Sequence, residues 1–132
     1  MSRFDSAFQA LNFLQSRLKG TANRLWSIQS SLASAYTQGL KETDFLPRRL
    51  INRRREEQYK FEKLVDDLNT VVKSHFGRHF VAFSSPEEVR TVMNIRRTIQ
   101  YIKNAYSNEP TLLDTLARLN TLFQSSETPK QD

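Results

Sequence analysis

Phe61, Leu64, Val65, Leu68, Val71, Val72, His75 and Phe76 recur at three- and four-residue steps, the spacing of one face of an α-helix. A chain that carries so long an apolar stripe must bury it against other elements, and this requirement dominates what it can fold into. Gly77 supplies a stop. At the other end the helix is expected to begin at Pro47 or Arg48, because the residue before a proline is biased away from helix. Such a helix has about 29 residues and a length of about 44 Å, more than a compact domain of this size requires, so one end is expected to project. Three glycines and four prolines in 132 residues are too few for a sandwich or barrel, which needs turn residues roughly every ten positions.

The remaining apolar residues fit the same helical template. Phe4, Phe8, Leu11 and Leu14 or Leu18 form a stripe that Gly20 ends or kinks, and Leu25, Ile28, Leu32 and Tyr36 resume it until Gly39, a candidate left-handed cap. Residues 1–39 therefore read as a helical hairpin or one kinked helix. The apolar segment Arg78–Ser84 reads as a short extended piece or an apolar loop packed over the bundle end, with the loop preferred. Ser85, Pro86 and Glu88 form a helix-start signature, with serine as cap and proline at the first helical position. Val89, Val92, Ile95 or Arg96, Ile99, Ile102 and Tyr106 follow on one face. A last helix buries Leu112, Leu116, Leu119 and Phe123 before a polar tail, 124–132, that is expected to fray. The expected fold is an all-α, single-domain bundle of four to five helices over 1–132. A long central helix, 47–76, serves as spine, and the helix pair of 85–123 packs against it.

Composition narrows the functions available. The net charge of +6 and pI of about 9.9 suit a polyanionic partner. The absence of cysteine removes disulfides, thiolate metal sites and thiol nucleophiles, and fits a reducing, cytoplasmic setting. No stretch has the roughly 18 apolar residues a membrane span needs, and the N-terminus has no signal-peptide core, so no membrane partner is expected. The only histidines, His75 and His79, are separated by Gly77 and lack a nearby acidic third ligand, so no metal is expected. Adjacent Asp66 and Asp67 diverge on a helix, and Glu56, Glu57 and Glu62 lie among basic residues as on a solvated surface. The three isolated glycines build no phosphate loop, and no nucleophile elbow is present. The expectation is a protein that is not an enzyme and takes no cofactor and no small-molecule substrate.

The informative feature is the cationic run Arg48, Arg49, Arg53, Arg54 and Arg55, continued by Lys60 and Lys63. At about 100° per residue Arg48 and Arg55 share one direction, Arg49 and Arg53 a second and Arg54 a third, so these turns are expected to stand clear of the core. Cations near a helix N-terminus oppose its dipole, a placement that an anion compensates, and guanidinium forks match phosphate oxygens. A second set follows Pro86: Arg90 with Arg97 and Arg96 with Lys103, each pair seven apart on one face. Phe45, Tyr59, Phe80, Phe83, Tyr101 and Tyr106 are possible stacking platforms, although core packing is the ordinary use of most of them. Trp26, the sole tryptophan, is a candidate protein-interface residue.

In size, helical content and basicity, though not in any sequence motif, the chain resembles the small subunits of CRISPR interference complexes, and the run around Arg53 and the Arg90–Lys103 face are the residues onto which that family's role would carry over. The resemblance implies a cytoplasmic nucleoprotein subunit in antiviral defence. Copies of it would stack beside other protein subunits, brace the RNA-bearing backbone, and meet the phosphates of a single strand or guide–target duplex, while guide pairing reads the sequence. Two further readings suit the same residues: a structural or nucleic-acid-packaging subunit of a virus or phage particle, and a helical adaptor whose arginines dock an acidic protein.

Overall fold

The computed structural model of the chain describes residues 3–76, 82–83, 86–124 and 130–131. Four α-helices carry the fold: α1 (Arg3–Thr37), α2 (Phe45–Phe76), α3 (Pro86–Ala105) and α4 (Pro110–Ala117). The architecture is an all-α bundle. A 3-10 turn follows at Thr121–Phe123, and Ala82–Phe83 pairs in parallel with Lys130–Gln131. That short pairing lies within the segments expected to be a loop and a frayed tail. Gly77, His79, Phe80 and the Ser85 cap lie outside the described residues, as do the side chains of Phe4, His75, Phe83 and Glu88.

Of the two expected forms the structure excludes the hairpin: residues 3–37 form one continuous helix that runs through Gly20. Leu11, Leu18, Leu25 and Leu32 are buried at seven-residue intervals, so the apolar stripe stays in phase across the glycine. Glycine within a helix costs about 0.5–1 kcal/mol relative to alanine, whereas burying each leucine contributes about 1.5–3 kcal/mol, so packing wins. Gly39 does act as a cap. Its φ of 90° lets the Leu40 N–H reach the Ala35 carbonyl and its own N–H reach Tyr36, and this closes α1.

α2 begins at Phe45, two residues before the expected start, because Pro47 falls in the first turn, where helix N–H groups have no intrahelical acceptor. The Asp44 carbonyl accepts the Arg48 N–H at 3.0 Å, and the Asp44 carboxylate accepts the Lys41 N–H at 2.6 Å, which ties the connection down. α2 returns antiparallel along α1: Arg24 meets Glu57, Gln29 meets Arg54, and Ile28 and Leu32 pack with Leu50. α2 shares the role of spine with α1, which is three residues longer at 35 against 32.

α3 packs chiefly on α1 and α4 on α2, so the last two helices do not share one support. Gln15 donates to Thr98 and the Tyr106 hydroxyl donates to Asn23, two contacts with the same offset in number, so α3 runs parallel to α1. The main core joins Leu11, Leu18 and Leu25 to Phe61, Leu64, Val65, Leu68 and Val72, and then to Ile95, Ile99, Ile102, Leu116 and Phe123. The expected last helix is shorter than its stripe. Asn69 of α2 donates to the Arg118 carbonyl at 3.0 Å and accepts the Asn120 N–H at 2.7 Å, which draws the backbone out of helix, and Asn120 then caps the 3-10 turn. Leu119 and Phe123 are buried all the same.

Candidate nucleic-acid interface

Beyond the level of Gln29 and Arg54, where the α3–α4 turn covers the hairpin, α1 and α2 pack only on each other among the described residues. Ile28, Leu32 and Leu50, with Ile51 against them, form a separate small core there. The arginine-bearing turns therefore have a buried face after all, supplied by Pro47, Leu50 and Glu57. Arg54 leans on that face and donates to Gln29 at 3.0 Å. Arg48, Arg49, Arg53 and Arg55 are exposed, and their side chains have no ion pair or hydrogen bond among the described residues. The opposing helix offers them no carboxylate, because no Asp or Glu occurs from Ser6 to Leu40. Glu42, Asp44 and Glu56 are the acidic residues nearest the run in sequence, apart from Glu57, which is turned inward.

Glu57 is only 7% exposed and holds two cations, Arg24 at 3.0 Å and Lys60 at 3.4 Å. A buried carboxylate needs such partners, so Lys60 is partly committed to structure. The second basic set divides. Arg90 and Arg97 are exposed. Arg96 donates to the Leu122 carbonyl at 2.7 Å and Lys103 donates to the Gln124 side chain at 2.9 Å, so both anchor the C-terminal turn and neither projects freely. The set thus divides along the two pairs given by the spacing, and only Arg90 and Arg97 remain open to a partner.

The aromatic residues are more exposed than expected. Tyr106 is buried, but Phe45, Tyr59 and Tyr101 are open to solvent, as is Trp26 at 56%. Trp26 lies beside Gln29, Arg54 and Gln58 at the edge of the α3–α4 turn. Burial, with a smaller contribution from the neighbouring Tyr101, pushes the Tyr106 phenol above its ordinary value of 10.0, so it remains a hydrogen-bond donor to Asn23 well past neutrality.

Two residues that the charge pattern did not single out complete the surface. Phe13 and Arg17 of α1 face Arg55, Tyr59, Lys60 and Lys63 of α2 across a groove of about 760 Å³. The Arg17 guanidinium stands 5.4 Å from the centre of the Phe13 ring. The four-residue step from Phe13 to Arg17, on a helix otherwise poor in charge, was the available signal. Among the described residues no group of three or more His, Asp or Glu side chains converges, and no helix is long and apolar enough to cross a membrane. No protein-family model, no curated protein and no solved structure matches this chain.

Proposed function

We propose that this chain is a non-enzymatic small subunit of a cytoplasmic nucleoprotein complex that holds nucleic-acid backbone, without reading sequence, on the distal half of the α1–α2 hairpin. The observation that carries this reading is the exposure of Arg48, Arg49, Arg53 and Arg55 with no carboxylate partner among the described residues. Four like charges on successive turns repel one another, Arg48 in the first turn also opposes the helix dipole, and phosphates relieve both effects while matching the guanidinium fork. Arg54 adds reach from the same turns, and Arg90 and Arg97 offer a second, weaker patch. Arg96, Lys103 and Lys60 contribute mainly by holding the fold.

A CRISPR interference complex is the assembly this reading favours, with the chain bracing protein neighbours or further copies of itself and meeting a single strand or guide–target duplex. Trp26, with Tyr36, Phe45 and Leu46 exposed farther out, supplies the apolar contact surface that subunit packing needs. The same four residues favour one competing reading, an adaptor that docks an acidic protein and binds no nucleic acid. Titration of the purified protein with labelled single- and double-stranded DNA and RNA across a salt series separates the two. Sequence-independent binding that weakens steeply with salt is the expected result; no binding to any of the four at low salt would favour the adaptor.

A further inference from the structure

We propose that the groove between α1 and α2 seats single-stranded nucleic acid, with Phe13 and Tyr59 as stacking platforms for unpaired bases and Arg17, Arg55 and Lys63 on the phosphates. The proposal rests on the nucleic-acid reading above and adds a site and a form of ligand to it. Its starting point is two aromatic rings left in water on facing helices, Phe13 at 59% and Tyr59 at 68% exposure, in a chain whose leucines and isoleucines are mostly buried. Each ring lines a groove of about 760 Å³, and Leu14 and Leu64 give that groove an apolar floor. An apolar floor with aromatic and basic walls suits a flat apolar base attached to an anionic backbone.

Charge complementarity selects the occupant. Arg17, Arg55, Lys60 and Lys63 line the groove against two carboxylates, Glu56 and Asp67. Lys60 is held by Glu57, which leaves Arg17, Arg55 and Lys63 for phosphate oxygens. The Arg17 guanidinium stands over the Phe13 ring, so a base that stacks on that face takes its place and the freed guanidinium meets the adjoining phosphate. Glu56 and Asp67 are placed to accept hydrogen bonds from exocyclic amino groups on base edges, a role that phosphates cannot share. A duplex keeps its bases stacked on one another and offers only edges and backbone, so it has nothing to place on the two rings. Arg55 belongs both to the groove and to the exposed arginines of the distal half, so a strand leaving the groove passes onto that surface without a break.

The test uses the full chain and four labelled ligands of equal length: a mixed-sequence single strand of DNA, one of RNA, the corresponding DNA duplex, and an abasic single strand. The single strands are expected to bind more tightly than the duplex and the abasic strand. Tyr59→Ala and Phe13→Ala should each weaken single-strand binding about tenfold, leave duplex binding unchanged, and preserve the helical circular dichroism, since both rings are exposed. Tyr59→Phe should restore the wild-type value. If the abasic strand binds as well as the intact one, or if neither alanine variant changes single-strand affinity while arginine variants do, the groove is not the seat and the broader nucleic-acid reading survives. If no ligand binds at low salt, both are overturned.

Discussion

The two halves of the α1–α2 hairpin are built from the same pair of helices and differ in what covers them. In the proximal half, Leu11, Leu18, Phe61, Leu64, Val65 and Leu68 join a core completed by α3, α4 and Phe123. In the distal half, Ile28, Leu32 and Leu50 have only Ile51 packed against them among the described residues, and the outward positions are given to arginine and to bare aromatic rings. One half is shaped by burial. The other retains a narrow seam sufficient to hold two helices together, and this leaves most of its surface for contact with something else. Because little apolar packing backs it, the distal half is also expected to open locally before the proximal half unfolds.

The largest expected effect sharpens that contrast. Leu68→Ala should destabilise the whole bundle by about 2–5 kcal/mol in denaturant unfolding, because the side chain is fully enclosed by the larger core. Leu50→Ala should lie at or below the low end of that range, with reduced hydrogen-exchange protection confined to residues near 28–54. Equal costs with a uniform fall in protection would break the distinction.

The two glycines of known backbone make the next pair. Gly39→Ala should cost about 1–2 kcal/mol, since its left-handed backbone disfavours any Cβ although the space around it is open. Gly20→Ala should raise stability by about 0.5–1 kcal/mol, because the new methyl meets nothing closer than the Arg24 guanidinium at 3.5 Å. Thermal unfolding of both variants reads the two signs, and a destabilising Gly20→Ala would contradict a continuous α1.

The smallest effect is a change of slope with pH. Burial keeps the folded Tyr106 phenol protonated where the unfolded one ionises, so its contribution to stability is intact below pH 10.0 and falls as pH rises past that point. Tyr106→Phe removes the Asn23 hydrogen bond at all pH values and should flatten this alkaline loss. Denaturation midpoints on either side of pH 10 measure the difference; unchanged slopes would mean that the phenol is not protected.

How much of this was legible in the sequence depended on whether the deciding partner was near or far along the chain. The stripe from Phe61 to Val72 stood out because helical periodicity is local. Gly20 misled because a glycine is a frequent helix terminator, while the leucines at 11, 18, 25 and 32 had already specified one helix through it. Pro47 marked the start of α2 only to within two residues, since first-turn prolines leave no helix hydrogen bond unmade. The end of α4 was hidden because Asn69, some fifty residues away, pulls that backbone out of register. Arg54, Arg96 and Lys103 show the same limit for the candidate site: spacing places them on a face, but Gln29, Leu122 and Gln124 decide where they point. Exposure of Tyr59 and Phe45 was equally unreadable, because an aromatic beside a single charged neighbour fits a core edge as well as a surface.

The central claim is that the exposed arginines of the distal half carry the main contact with nucleic-acid backbone. Its most direct test is the dependence of duplex DNA affinity on salt for the wild type, for a variant with Arg48, Arg49, Arg53 and Arg55 changed to alanine, and for one with Arg90 and Arg97 changed. The distal variant should keep its fold, bind far more weakly, and show a log–log salt slope shallower by about 3–4, near 0.9 for each phosphate no longer neutralised, while the Arg90 and Arg97 variant changes little. A distal variant with wild-type affinity and slope would contradict the account.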